Sequence, residues 1–166
     1  MHVAAFELDR VPVSNAEFLV FVKTHAEWRR DRVAALLARL RERSAGPEDY
    51  IEKIFTGWRR DLERFSFELG CIVAMSAIEL GPRSPEMAEA AKQAFSRWES
   101  EIAAAARDWG MDDSHANRFA AAAISAIEGA LVMSRVRRDG APFDLAAESV
   151  LSLARAYLRN DERPPQ

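Results

Sequence analysis

The sequence lacks the residue clusters from which metal sites and phosphate sites are built. It has one cysteine, Cys71, which excludes an internal disulfide and suits a reducing compartment. It has three histidines, no Glu-x-x-His pair and no glycine-rich phosphate loop. The acidic stretch at 112–115 places His115 three residues after Asp112, but no second cluster accompanies it. We therefore expect no catalytic residues, no metal and no cofactor.

An excess of positive charge and long apolar runs are also missing. The chain has 23 basic and 26 acidic residues, a net charge of −3, and its arginines alternate with acids. This balance is not typical of a nucleic-acid surface. No uninterrupted apolar run reaches about 18 residues, so no membrane span is expected. The first ten residues have neither the basic start nor the apolar run of a signal peptide. A cytoplasmic protein without membrane contact is the expectation.

Alanine-rich segments with helical periodicity predict an all-α fold. Helix starts are indicated by Ser14 with Glu17, which form a capping box, and by Ser84-Pro85-Glu86. Helix ends are indicated by Gly70 and Gly110. The pattern predicts about six helices and no strand: 15–42, 47–69, a short one at 71–80, 85–109, 116–138 and 143–159.

The segment 116–138 is the longest apolar stretch and is apolar on nearly every face. Such a helix has to be buried on all sides. Its first stripe, at helical spacing, is Ala120, Ile124, Ile127, Leu131 and Ser134. Its second stripe consists mostly of small residues: Ala122, Ser125, Ala126, Gly129 and Met133. We expect the first stripe to close the chain's own domain and the second to admit a helix of another subunit.

Three segments, in order and spacing, resemble a known family: Gly70–Met75, Phe95–Ile102 and Ala126–Val132. They are similar to the C-terminal ligand-binding and dimerisation domain of tetracycline-repressor-like (TetR-family) transcriptional regulators, especially those related to multidrug-resistance repressors. The resemblance covers about residues 14–158. It implies a helical effector domain that forms a homodimer, in which helices 116–138 and 143–159 build a four-helix bundle with their copies.

The resemblance also implies a pocket for a small lipophilic effector inside the helical bundle. The candidate ligand-binding residues are His25, Trp58, Phe65, Cys71, Met75, Phe95, Trp98 and Phe119. Aromatic side chains at helical spacing are also typical of a plain core, and Cys71 of a small buried hydrophobe, so both interpretations stay open. The candidate dimer-interface residues are Ala122, Ser125, Ala126, Gly129, Met133, Val150, Leu151 and Ala154.

The sequence departs from the family pattern at its N-terminus. A three-helix DNA-binding domain needs about 40 residues, whereas 13 residues precede Ser14 and carry no recognition-helix pattern. We therefore expect an irregular segment at 1–13, the TetR-like domain at 14–159 and a disordered tail at 160–166. Direct DNA contact is not expected from this chain alone, and would require a helix-turn-helix upstream. Truncation, a misassigned start and loss of DNA binding remain alternatives.

The leading hypothesis is a homodimeric, ligand-responsive regulatory domain without its own DNA-binding head. One alternative is an interaction protein that forms a heterodimer with a full-length regulator. Another is a small-molecule binding module with no role in transcription.

Overall fold

Residues 32–161 are described in the computed structural model, and the side chains as far as 159. Within this part the chain forms six α-helices and no strand, which confirms the all-α prediction. The predicted segment 1–13, the capping box at Ser14 and the first part of the predicted helix 15–42, as far as residue 31, lie outside the described residues. The helices are α1 (Arg32–Arg43), α2 (Pro47–Arg64), α3 (Ile72–Glu79), α4 (Pro85–Asp108), α5 (Asp113–Arg137) and α6 (Ala141–Asp161).

Helix α5 lies at the centre of the packing, against α4 on one side and α6 on another. Helix α2 packs on α6 and on α5, while α1 and α3 both pack on α4. The buried apolar side chains of the described residues form one continuous cluster. Its largest fully buried members are Tyr50, Phe119, Phe143, Leu62 and Ile102. A continuous cluster of this kind is the hydrophobic core of one domain.

Two helix starts follow directly from capping side chains. Ser84 Oγ accepts a hydrogen bond of 3.3 Å from the Met87 amide, and Pro85 is the first helical residue of α4. Asp112 Oδ1 accepts one of 2.7 Å from the His115 amide. Because Asp112 caps α5, this helix begins three residues earlier than the predicted start at Ala116. Gly110, with φ +99°, separates α4 from α5 as the sequence predicts.

The end of α2 differs from the prediction, which carried this helix to Leu69. The helix ends at Arg64, and Ser66 and Phe67 both take left-handed backbone conformations with φ 53° and 62°. The Phe67 amide donates a 2.8 Å hydrogen bond back to the Leu62 carbonyl, which closes the helix end. Non-glycine residues seldom adopt this conformation, so the sequence gives little indication of the turn.

The last helix is longer than predicted. α6 runs to Asp161, two residues into the segment 160–166 that the sequence analysis assigned to a disordered tail. Its first turn is held to α2 by Arg59, whose guanidinium contacts Asp144 at 2.6 Å and Glu63 at 2.8 Å. Exposed ion pairs of this kind contribute about 0–1 kcal/mol. The burial of Phe143, which is fully enclosed and meets Phe55 edge-on, therefore holds this junction more strongly.

Candidate functional site

Of the candidate ligand-binding residues, Trp98, Phe119 and Cys71 are buried in the core, and Phe95 and Trp58 pack against it. Trp98 of α4 is 5% exposed, Phe119 of α5 is fully buried, and Phe95 is half-buried against the core. The Phe95 and Trp98 rings meet edge-on with centroids 5.1 Å apart, and Phe119 meets Trp109 in the same way at 5.9 Å. These are the preferred geometries of packed aromatic rings. The Trp109–Phe119 contact therefore joins the end of α4 to α5, whereas the Phe95–Trp98 contact lies within α4.

Cys71 is the N-cap of α3 and lies buried against Glu128 of α5. Its Sγ accepts a 3.4 Å contact from the Ala74 amide, and its thiol hydrogen-bonds to the Glu128 carboxylate. Burial, reinforced by this carboxylate, raises the pKa of the Cys71 thiol to about 12. Burial also raises the pKa of half-buried Glu128, an effect that the hydrogen bond from Cys71 partly offsets. Cys71 is thus a protonated, structural thiol and not a reactive one.

Phe65 and Met75 lie near the surface. Phe65, at the end of α2, is 50% exposed, and its ring is 5.6 Å from the Arg64 guanidinium. Met75 of α3 is 44% exposed, and its Sδ would lie 2.8 Å from a Cβ added at Gly70. Gly70 therefore lets the loop pass close to α3. His25 lies outside the described residues. The other seven candidates are not brought together around one space: Trp98 and Phe119 are buried, while Phe65 and Met75 are exposed.

A groove of about 720 Å³ lies between α1 and α2. Of the candidate residues, Trp58 lines it. Its other apolar walls come from Val33, Leu36, Leu37, Leu40 and Ile54. The sequence did not predict this groove, because helical spacing along α1 does not show which part of α2 lies beside it. Leu36 is 44% exposed, and a Cβ added at Gly57 would meet no atom within 4 Å.

Helix α5 has two faces of opposite burial. The predicted inward stripe (Ala120, Ile124, Ile127, Leu131 and Ser134) is buried at every position, as expected. We define the outward face as Ser125, Gly129, Val132, Met133 and Val136. All five are exposed, and a Cβ added at Gly129 would meet nothing within 4 Å. Between Val132, Val136 and Phe67 the surface forms a depression of about 420 Å³.

Two hydroxyls on and near this surface are hydrogen-bonded within their own helices. Ser125 Oγ donates a 2.9 Å hydrogen bond to the Ala121 carbonyl, and Ser149 of α6 donates one of 2.8 Å to the Leu145 carbonyl. Leu145 itself is 59% exposed. A surface whose hydroxyls are already hydrogen-bonded can be covered without leaving a polar group unsatisfied. The chemistry of the outward face therefore suits burial against protein.

The structure places the α6 candidates for the dimer interface mostly inside the chain's own core. Val150 is 3% exposed and Ala154 is fully buried, while Leu151 is half-buried. On α5, Ala122 and Ala126 are half-buried and flank the outward face. The exposed positions of α6 are instead Leu145, Ser149 and Ser152, among others. The periodicity of α6 did not reveal which of its faces meets α2 and α5.

Helix α5 is also the one described helix that is long and apolar enough to cross a membrane, by length and composition alone. The sequence predicted no membrane span because Arg118 and Glu128 interrupt the apolar run of this segment. The core helix of a soluble protein commonly meets the same criteria. Among the described residues, no group of three or more His, Cys, Asp or Glu side chains is placed to hold a metal ion.

Comparison with known proteins agrees with this helical arrangement. Residues 47–149 match the family described as "Transcriptional regulator LmrA/YxaF-like, C-terminal domain", a TetR-type domain. The chain therefore belongs to the TetR family of transcriptional regulators. An uncharacterized HTH-type transcriptional regulator, found in two strains of Mycobacterium tuberculosis, is 29% identical to it over 139 residues. That match spans 80% of this chain and 69% of the relative. No solved structure matches the present chain.

Proposed function

We propose that the chain is a homodimeric regulatory domain that responds to a small lipophilic effector in the cytoplasm. We take this domain to extend over residues 14–159, of which residues 47–149 match a family of transcriptional regulators. We assign it no catalytic step. The relatives are named HTH-type transcriptional regulators, a name that assigns DNA binding to a helix-turn-helix. We therefore assign no DNA contact to residues 32–161.

The observation that carries this proposal is the outward face of α5. Val132 is 59% exposed, Val136 78% and Met133 42%, on a helix whose opposite face is fully packed. Large apolar side chains gathered on one exposed face are typical of a protein–protein contact. The open space at Gly129 allows a second helix to approach the backbone closely. A second copy of the same face, related by a twofold axis, supplies such a helix.

Regulation requires that the effector binds one conformation of the domain more tightly than another. Helices α1 and α2, which are joined by a short link at Gly46, provide a place where a ligand can act on helix packing. The groove between them has the volume of a small-molecule site, since such sites are about 300–1,000 Å³ and this one is about 720 Å³.

The experiment that tests effector binding is a thermal-unfolding screen with small organic compounds of varied charge and polarity. A compound present at about 100 times its Kd stabilises the folded state by about 2.7 kcal/mol. We expect apolar compounds to raise Tm in a concentration-dependent manner, and strongly charged ones to have no effect. If no apolar compound raises Tm at its solubility limit, the effector-binding function is wrong.

A further inference from the structure

We propose that Met75 is a site of reversible oxidation by a hydroperoxide, and that the Arg135 guanidinium holds the resulting sulfoxide and so ties α3 to α5. The proposal is independent of effector binding and of dimerisation. It concerns a methionine that the structure places apart from the buried aromatic side chains of α4 and α5.

Met75 is accessible to a small oxidant. Its side chain is 44% exposed, which makes it the most exposed methionine of the described residues. Met87 is half-buried and Met111 is 4% exposed. Met133 is 42% exposed, but it lies on the outward face of α5, which the proposed dimer covers. Exposure favours the conversion of a thioether to a sulfoxide, so Met75 is the first methionine of this part of the chain that a peroxide should reach.

Gly70 brings the Met75 thioether and the Arg135 guanidinium close together. A Cβ built at Gly70 would lie 2.8 Å from Met75 Sδ and 2.8 Å from Arg135 Nη1. These two atoms are therefore no farther apart than twice that distance. A side chain at position 70 would collide with both of them, because real Cβ atoms do not approach other atoms so closely. Glycine thus keeps the sulfur and the guanidinium next to each other.

Arg135 is available to bind an added oxygen. It is exposed, and it takes part in none of the ion pairs among the described residues, although Glu68 lines the same surface depression. A thioether sulfur is only a weak hydrogen-bond acceptor, so Arg135 gains little from reduced Met75. A sulfoxide is polar, and a hydrogen bond that a guanidinium donates to its oxygen is charge-assisted and strong.

The oxidation is a two-electron transfer of oxygen. The Sδ lone pair attacks one oxygen of hydrogen peroxide, the S–O bond forms as the O–O bond breaks, and hydroxide leaves. The new S–OH group then loses its proton to the hydroxide, which gives the sulfoxide and one water. The sulfur is oxidised and the peroxide is reduced. Cys71 does not compete, because its thiol is buried and hydrogen-bonded to Glu128.

Helix α3 is an element on which one added hydrogen bond has a measurable effect. None of its 8 residues is buried, and Ile72 and Ile78 are 56% and 76% exposed. It is held by packing on α4 and, through its N-cap Cys71, by the contact with Glu128 of α5. Elements with few buried contacts open locally at low free energy. A bond from Arg135 to oxidised Met75 should make this opening rarer.

The test combines peroxide treatment of the full chain with mass spectrometry and amide hydrogen exchange of residues 72–79. Tandem mass spectrometry distinguishes oxygen on Met75 from oxygen on Cys71. Met75→Leu cannot form a sulfoxide and controls for oxidation elsewhere. Arg135→Gln removes the guanidinium, and Arg137→Gln is its matched control, because it makes the same substitution at an exposed position two residues further on.

We expect peroxide to oxidise Met75 before Met111, and the sulfoxide to slow amide exchange in α3 by about threefold or more in the wild type and in Arg137→Gln. Methionine sulfoxide reductase should restore the original rate. Arg135→Gln should form the sulfoxide without the slowing. If Met75 stays reduced while Met111 is oxidised, or if Arg135→Gln or Met75→Leu shows the same slowing after peroxide, the proposal is wrong.

Should Arg135→Gln fail to fold, Met75→Gln decides the result. The glutamine Cδ replaces Sδ, and its amide oxygen takes the place of the sulfoxide oxygen. Met75→Leu is the reference, since leucine and glutamine have similar helix propensities. Without peroxide, Met75→Gln should exchange the amides of α3 more slowly than Met75→Leu. Equal rates in these two variants would overturn the proposal.

Discussion

The two faces of α5 have similar composition and opposite environments. On the inward face Leu131 is 3% exposed and Ile127 5%, whereas on the outward face Val132 is 59% exposed and Val136 78%. The inward residues stabilise the fold of the single chain, because they are already removed from water. The outward residues contribute nothing of this kind until another surface covers them. One helix thus serves both folding and, in our proposal, association.

The largest difference between the faces should appear on truncation of one inward residue. Leu131→Ala should lower the free energy of unfolding by about 2–5 kcal/mol, since it opens a cavity in the core. Val132→Ala, its neighbour on the outward face, is the matched control and should cost much less in dilute solution. Urea unfolding of both variants measures the difference. Equal losses would mean that the two faces are equally packed.

A smaller effect concerns Glu128, which lies at the boundary between the two faces and beside Cys71. Its pKa is raised in the folded state, chiefly by burial. The protonated carboxyl is therefore the form that folding favours, and its stabilising contribution is lost as pH rises through the folded pKa. We expect the free energy of unfolding of the wild type to fall relative to that of Glu128→Gln as pH rises above about 4.3, the ordinary value for glutamate.

Urea unfolding at several pH values checks this expectation. Glu148→Gln, at an exposed position of α6, is the matched control for the same exchange. A wild type and a Glu128→Gln variant with identical pH dependence would place Glu128 in water and not at the Cys71 contact.

Much of the fold follows from local chemistry that is visible in the sequence. Ser84 with Pro85, and Gly110, mark real helix boundaries, and the inward stripe of α5 is buried as its spacing predicts. The end of α2 could not be predicted, because Ser66 and Phe67 take a backbone conformation that neither residue type favours. In the structure this conformation is accompanied by the hydrogen bond from the Phe67 amide to the Leu62 carbonyl and by packing of Phe67 against the core.

The candidate site was harder to predict than the fold. A helical period tells which residues share a face, but not which neighbour covers that face. For this reason Val150 and Ala154 were predicted at a subunit interface, whereas the structure places them in the core of the chain. Likewise, Gly57 and Leu36 belong to two different helices, and the groove exists only because the structure places these helices side by side. Spacing along one helix cannot contain that information.

Sedimentation equilibrium at micromolar concentration tests the central claim, that the outward face of α5 joins two copies, most directly. We predict a dimer for the wild type, and for Gly129→Leu a dimer weakened by about 1–3 kcal/mol through overpacking at the contact. Gly57→Leu, the same exchange at another open helical glycine, should remain dimeric. A monomeric wild type, or a Gly129→Leu variant that associates as tightly as the wild type, would contradict the account.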